Sequence, residues 1–363
     1  DDAATFLDSR RLRVGTTPVR AGRFVLATGS TPLLPEIAGL DQVPFFTPDT
    51  ILANLRKLSH LLVIGGDAMA LELAQTYARL GSSVTLVPQG PLLAGFDPEP
   101  VAVLLRALRD DGVTIVEDAS ITAVLPRSQG TGIALAPASG ATDMLDVSHI
   151  LVACGRVPHL DAGLLSAARL RRDPQRPDHL LVDADGQTSN RRITAIGGAA
   201  GVFDGPHALL QLARVLARTT GAPRAPINPL RLPRLVNTTP ALVQIGQAGA
   251  LAPTGQSQLL LRASASQTEA AWALGDLAGS AKLLAGARGA ILGVAMLGHG
   301  AGDLAAMLVV ALDRGLGAAE LGDLPVPAAS RAALLVDLGR QYQALHPPSA
   351  WARRWAALRQ LLP

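Results

Sequence analysis

Short apolar runs alternating with helical periodicity organise the first half of the chain. Leu61 to Ile64 is an apolar run of strand length, Gly65-Gly66 makes a tight turn, and Ala68 to Leu80 reads as a helix closed by Gly81. Val84 to Val87 is a second strand. Asp97 stands where a helix cap is needed, ahead of Val101, Leu104, Leu105 and Leu108 at i, i+3, i+4 and i+7. Val113 to Val116 is a third strand. A β-α-β-α-β run with connections this short predicts a parallel sheet with right-handed crossovers. Upstream, Arg23 to Ala27 reads as a strand entering the loop Thr28-Gly29-Ser30-Thr31-Pro32.

Downstream, His149 to Ala153 is an apolar strand, and Ile193 to Ile196 ends in Gly197-Gly198 before a helix from about Pro206 to Arg218. Gly221 to Pro233 holds four prolines and marks the clearest boundary. Beyond it, Leu235 to Ile245, Ser280 to Ala285 and Ile291 to Leu297 read as strands. A helix from Asp303 to Arg314 sets Leu304, Met307, Leu308, Ala311 and Leu312 on one face, so this half predicts an α+β domain. In the tail, Trp351, Trp355, Leu358 and Leu362 share a helical face, with Arg353, Arg354 and Arg359 on others. That pattern predicts a helix docked on its own domain.

Composition narrows the function classes. At 48% apolar residues the 363-residue chain is not disordered, and its length suits two or three domains. One cysteine excludes a disulfide scaffold, a Cys-based zinc site and an internal redox pair. The net charge is +3, but Lys57 and Lys282 are the sole lysines and the arginines are scattered among 29 acids, so no nucleic-acid partner is expected. The most apolar stretch, Ala290 to Leu312, is interrupted by His299 and Asp303, so no membrane span is expected. The opening Asp1-Asp2 is no signal peptide, and a cytoplasmic location is expected. The seven histidines show no metal-ligand spacing, so no metal is expected.

Five motifs in register then carry a resemblance: Ala27-Thr28-Gly29-Ser30, Val63-Ile64-Gly65-Gly66, Cys154-Gly155-Arg156-Val157-Pro158, Thr188-Ser189-Asn190 and Ala195-Ile196-Gly197-Gly198. Their order and spacing resemble the pyridine nucleotide–disulfide oxidoreductases, FAD flavoproteins such as mercuric reductase and dihydrolipoamide dehydrogenase. Thr238-Thr239-Pro240 followed by Val243-Gln244-Ile245-Gly246 looks like the start of that family's dimerisation domain, and Gly279 to Lys282 and Ile291-Leu292-Gly293 like its continuation. The resemblance implies an α/β protein: a Rossmann-like NAD(P)-binding domain (41–156) inserted in a partial FAD domain (1–40 and 157–224). A C-terminal α+β dimerisation domain (231–345) and a helical tail (346–363) follow. It also implies FAD and NAD or NADP as cofactors and a homodimer as the assembly. The family's first FAD-binding βαβ unit and its redox-active cysteine pair are expected before Asp1.

On this resemblance Thr28, Gly29, Gly197 and Gly198 are candidates to line FAD. Gly65, Gly66, Met69, Ala70, Glu72 and Gly155 are candidates for the dinucleotide site. No catalytic residue is assigned. Several positions depart from the family pattern. The turn Gly65-Gly66-Asp67-Ala68-Met69-Ala70 is set against a fingerprint G-x-G-x-x-G/A, so its middle glycine is Asp67. A carboxylate facing the pyrophosphate at ~4 Å would be repelled by ~4 kcal/mol at an effective dielectric of ~20, about a thousandfold in affinity. The plainer reading makes Asp67 a helix cap. Some twenty residues on, Pro88-Gln89-Gly90 offers neither the acid that reads a ribose nor an Arg for a 2′-phosphate. Gly198 stands where the family has an Asp for the flavin's ribityl chain. Val326-Pro327-Ala328-Ala329-Ser330-Arg331 replaces the family's His…Glu acid–base segment, and Val cannot carry a proton. Cys154 reads as a small buried hydrophobe.

Two functions follow. One is an FAD-dependent NAD(P)H oxidoreductase with eroded cofactor motifs and an unidentified small-molecule or protein acceptor. The other is a catalytically inactive relative serving as a structural, regulatory or ligand-binding homodimer.

Overall fold

The computed structural model describes residues 3–137, 143–203, 205–221, 231–247, 249–255, 257–327 and 329–347. The expected tail face at Trp351 to Leu362, Ala328, and most of the proline-rich boundary lie outside the described residues. The architecture is mixed α/β, and contacts divide it into two compact units: residues 1–94 with 108–232, and residues 95–107 with 233–363.

The first unit is built around a four-stranded parallel sheet. Its strands, in spatial order, are His149–Val152, His60–Ile64, Ser83–Val87 and Val113–Ile115. The register runs His149↔Leu61 to Val152↔Ile64 on one side of the central strand and His60↔Ser83 to Ile64↔Val87 on the other. Alternate side chains of a strand point to opposite faces. Leu62 and Ile64 therefore join Val87, Ile150 and Val152 in a core closed by Ile121, Val124, Ile133 and Leu135. Those last four come from the antiparallel strands Ala119–Pro126 and Thr131–Pro137. The helix Ala68–Arg79 buries Ala70, Leu71, Leu73, Ala74, Gln75 and Tyr77 as its inward stripe. This is the Rossmann-like unit that the short apolar runs predict.

A second core in the same unit surrounds two parallel strands, Phe24–Leu26 and Ile193–Ala195, with Leu170, Leu180 and Ala199 packed on them. The helix that follows, Gly205–Thr220, starts and ends close to where its periodicity places it. Ahead of these lies a three-stranded antiparallel sheet, Ala4–Asp8, Arg11–Val14 and Thr17–Arg20.

The second unit is a five-stranded antiparallel sheet in the order Arg234–Val236, Ala241–Gly246, Ile291–Gly298, Ser280–Ala285, Leu259–Ser264. The single strand expected over Leu235 to Ile245 is two strands. They pair antiparallel, Arg234↔Gln244 to Val236↔Leu242, around a turn with a cis Thr239-Pro240 bond. Proline supplies no ladder donor, so a continuous strand through it is disfavoured. Helices Ala301–Asp313, Ala318–Gly322 and Ala333–Leu345 contribute to this unit's core. The first of these buries Ala301, Ala305, Leu308 and Ala311, while Leu304, Met307 and Leu312 are only half-buried. The last two helices touch backbone to backbone: a Cβ on Gly339 would lie 2.0 Å from the Gly322 nitrogen.

Among the described residues no helix is long and apolar enough to cross a membrane. Nor do any of them gather three His, Cys, Asp or Glu side chains that could hold a metal ion.

Candidate functional site

The carboxyl end of the parallel sheet is the place where an α/β fold presents backbone donors to a ligand. Gly65 leaves the central strand with φ +143°, and a Cβ there would lie 1.9 Å from the carbonyl oxygen of Ala153 on the neighbouring strand's exit. Only glycine permits that approach. Gly66 is hemmed in behind: its Cβ would meet Pro88 Cβ at 3.2 Å and Leu92 Cδ2 at 3.3 Å. Its carbonyl accepts the Leu93 N–H at 2.8 Å. The turn is therefore fixed from both sides.

Asp67 then caps the helix. Its Oδ1 accepts the Ala70 N–H at 2.9 Å, with extended backbone at φ −86°, ψ 179°. The residue is exposed overall, yet its carboxyl is turned in over the first turn. Burial raises its pKa, and the Ala70 and Met69 amides partly offset that rise. Of the remaining candidates, Met69 is exposed, Ala70 is fully buried against the sheet, and Glu72 is half-buried one turn on. Gly155, at φ +103°, opens onto free space. Pro88 is buried and Gln89 exposed, so no charged side chain follows the second strand.

Cys154 was expected to be buried and is half-buried instead, its Sγ donating to the Ile64 carbonyl at 3.4 Å. Desolvation, with a smaller contribution from the Asp67 charge, pushes its pKa to about 11. A thiol held that high is inert at neutral pH.

The second group of candidates lies where the parallel pair Phe24–Leu26 and Ile193–Ala195 ends. The Ile196 N–H donates to the Leu26 carbonyl at 2.9 Å, bringing Gly197-Gly198 beside Ala27 to Ser30. Thr28 Oγ1 donates to the His159 carbonyl at 3.0 Å, and the His159 N–H donates to the Gly29 carbonyl at 3.1 Å. Gly29 and Gly197 both have positive φ, +74° and +56°. The Gly197 N–H is taken by Gln211 Oε1 at 2.8 Å. Between these turns and the helix lies a cavity of about 370 Å³. Its walls include Ala27, Ile196, Ala208, Leu209 and Leu212, and none of its lining residues carries a polar side chain. At Gly198 a Cβ would lie 2.8 Å from the Gly29 carbonyl carbon and 2.9 Å from Ser30 Cβ. The space where an aspartate side chain would begin is filled.

That closure has a visible fastener, which motif reading passes over. Arg156 donates to both Asp49 carboxylate oxygens at 2.8 and 3.1 Å, to Ser30 Oγ at 2.7 Å and to the Ser30 carbonyl at 2.8 Å. The strand Arg156–Pro158 also pairs with Ser30–Pro32. Its only sequence signal is an arginine inside a motif of small and apolar residues.

In the second unit lie Val326 and Arg331, the two positions that the resemblance sets against a proton carrier and its orienting acid. Both are half-buried. Arg331 borders a small cavity together with Asp276 and His299, whose side chains approach to 3.9 Å.

A second network was missed by pattern alone. Asp97 is fully buried at the start of the helix Pro98–Asp110. It accepts Lys282 Nζ at 2.8 Å and the Leu251 N–H at 2.6 Å, and its own N–H donates to Gln244 Oε1 at 2.6 Å. Lys282 also reaches Glu99 at 2.9 Å, and Arg262 holds Glu99 with two hydrogen bonds. Arg262 and Lys282 hold the Glu99 pKa down to about 2. A lysine in the middle of an apolar strand is the signal that would have found this network.

A family model described as pyridine nucleotide-disulphide oxidoreductase matches residues 1–222. The chain is 32% identical over 324 residues to a mercuric reductase of Streptomyces lividans, spanning 86% of this chain and 67% of that protein. It is 30% identical over 330 residues to a dihydrolipoyl dehydrogenase of Thermus scotoductus, spanning 88% and 69%. With a mercuric reductase of Lysinibacillus sphaericus the match covers 53% of this chain and only 35% of that relative. Its fold is similar to the HOCl-induced flavoprotein disulfide reductase of Escherichia coli, with a TM-score of 0.82 at 22% identity, covering 94% and 78% of the two chains.

Proposed function

Because the chain belongs to the pyridine nucleotide-disulphide oxidoreductase family, we propose that it serves an FAD-dependent oxidoreductase whose flavin lies in the cavity between Ala27–Gly29 and Gly197–Gly198. The observation that carries this reading is the cavity itself, about 370 Å³, at the shared end of two parallel strands. FAD bound there would supply two-electron hydride chemistry to a small-molecule or protein acceptor.

The residues present fit one part of that group better than another. Ala27, Ile196, Ala208, Leu209 and Leu212 make an open apolar wall that suits a flat apolar ring. Gly29, with positive φ and nothing within 4 Å of its would-be Cβ, allows close approach to the backbone. Thr28 is held in place by the His159 carbonyl. A ribityl chain needs acceptors for its hydroxyls, and Gly198 offers no side chain.

The dinucleotide site fits its group less well. Gly65, Gly66, Met69 and Ala70 frame the turn, Glu72 follows on the helix and Gly155 lies just past the strand His149–Val152. The Asp67 carboxylate caps the turn where a phosphate would have to sit, and Pro88-Gln89 offers no charge to read a ribose. This observation favours a second reading, a catalytically inactive relative acting as a structural, regulatory or ligand-binding homodimer.

One preparation separates the two. The longest natural chain containing this sequence is purified, its visible absorbance recorded for bound flavin, and NADH or NADPH added. The oxidoreductase reading expects a yellow protein, and bleaching by either nucleotide would show in addition that the dinucleotide turn is open. A colourless protein whose melting temperature is unmoved by FAD would overturn it.

A further inference from the structure

We infer that the nucleotide-binding turn is closed to pyrophosphate by the chain itself: the Asp67 carboxylate occupies the Ala70 amide, a backbone donor that a dinucleotide's pyrophosphate would use. The inference rests on the family reading for its choice of ligand and on the geometry of one turn for everything else.

The first turn of a helix leaves backbone N–H groups without intrahelical partners, and these make a helix N-terminus an anion site. Here one of them is spoken for. The Ala70 N–H donates to Asp67 Oδ1 at 2.9 Å. The chain thus carries its own anion, covalently attached beside the donor it occupies. An incoming phosphate would have to displace it and would then sit beside a displaced negative charge.

The backbone cannot make room by retreating. Gly65 is pressed against the Ala153 carbonyl, Gly66 is backed by Pro88 and Leu92, and the Leu93 N–H is bonded to the Gly66 carbonyl. The turn lies beside the neighbouring strand's exit, where Cys154 Sγ donates to the Ile64 carbonyl at 3.4 Å, and a bound pyrophosphate would cross between these two strand exits.

The ligands excluded are NADH, NADPH and other molecules that must seat a pyrophosphate on this turn. The test compares the wild-type chain with Asp67→Gly, which vacates the Ala70 amide, and Asp67→Asn, which removes the charge but keeps a carbonyl able to cap Ala70. Calorimetric titration with NADH and with inorganic pyrophosphate should show no saturable binding to the wild type at millimolar ligand. Asp67→Gly should tighten binding by about tenfold or more, and Asp67→Asn by clearly less. Micromolar binding to the wild type would overturn the inference. So would equal gains for the two variants, which would make charge rather than occupied donors the cause.

Should Asp67→Gly fail to fold, the wild type still decides the matter. The Ala70 amide resonance should stay put when pyrophosphate is added at neutral pH and should shift as Asp67 is protonated. Movement on adding pyrophosphate would defeat the inference. Flavin content, read by visible absorbance on the same samples, is scored separately. A colourless protein that behaves as described here defeats the proposed function and leaves the closed turn standing.

Discussion

Asp67 and Asp97 open the helices Ala68–Arg79 and Pro98–Asp110, and each puts a carboxylate oxygen on a first-turn amide, at 2.9 Å and 3.0 Å. Their surroundings differ completely. Asp67 is exposed, and its carboxylate accepts the Ala70 amide of its own helix. Asp97 has no exposed surface and is met by Lys282, by the Leu251 amide and, through its own N–H, by Gln244. The local rule that selects aspartate at a helix start is satisfied identically in both. What lies beyond the first turn decides whether the same side chain blocks a ligand site or fastens a helix into a core. A buried carboxylate must be paired, because an unpaired one costs several kcal/mol in desolvation.

The largest expected effect breaks the Asp97 side of this comparison. Lys282→Met leaves Asp97 buried without its cation and should destabilise the protein by about 3–5 kcal/mol, read as a shift of the urea midpoint. An effect below about 1 kcal/mol would show that water reaches Asp97 and that the two capping sites are alike. Gly65→Ala tests the turn that carries Asp67. The new methyl has the Ala153 carbonyl 1.9 Å away, and φ +143° is strained for alanine, so a loss of about 2–3 kcal/mol is expected from thermal melting.

Asp67→Ala removes only a cap and should lower stability by about 1 kcal/mol, well below the effect at Lys282. The smallest effect is pH-dependent, and the two regions should respond with opposite signs. The Glu99 pKa is lowered from 4.5 to about 2, so its contribution is present above pH 4.5 and is lost as pH falls toward 2. Because Glu99 is half-exposed, solvent screening keeps that contribution small. The Asp67 pKa is raised above 3.8, so its ionisation costs stability as pH rises through that shifted value. Stability-versus-pH curves of Glu99→Gln and Asp67→Asn should therefore depart from wild type in opposite directions. Parallel departures would refute this assignment of the two carboxylates.

The parallel unit was legible in sequence because its signals are local. Leu61 to Ile64 is apolar throughout, as a strand buried on both faces must be, and the glycine turn and the cap follow it directly. The antiparallel additions left weaker traces. Thr17–Arg20 is exposed at every position, so no alternation betrays it. Leu235 to Ile245 read as one strand because its two halves are both apolar and its turn residues were absorbed into the run.

The site residues divide in the same way. Gly65, Gly66 and Gly197 announce themselves by the turns they make. Arg156 acts through Asp49 and Ser30, 107 and 126 residues away, and no spacing along the chain encodes that meeting. Lys282 finds Asp97 across 185 residues. Its presence in an apolar strand signals a buried partner without saying which.

The contact between Gly198 and the Gly29–Ser30 backbone bears on the order in which changes to this molecule can be made. Restoring an aspartate at 198 in one step would drive its first carbon into a carbonyl carbon 2.8 Å away. The obstacle is main chain, and Ser30 within it is held by two hydrogen bonds from Arg156, one to its carbonyl and one to its hydroxyl, with Arg156 itself anchored on Asp49. A protein engineer would have to loosen Arg156 before the polar group at 198 brought any benefit, and the intermediate would carry the loss without the gain. The glycine acts as a ratchet: easy to reach from a larger residue, and sterically costly to leave.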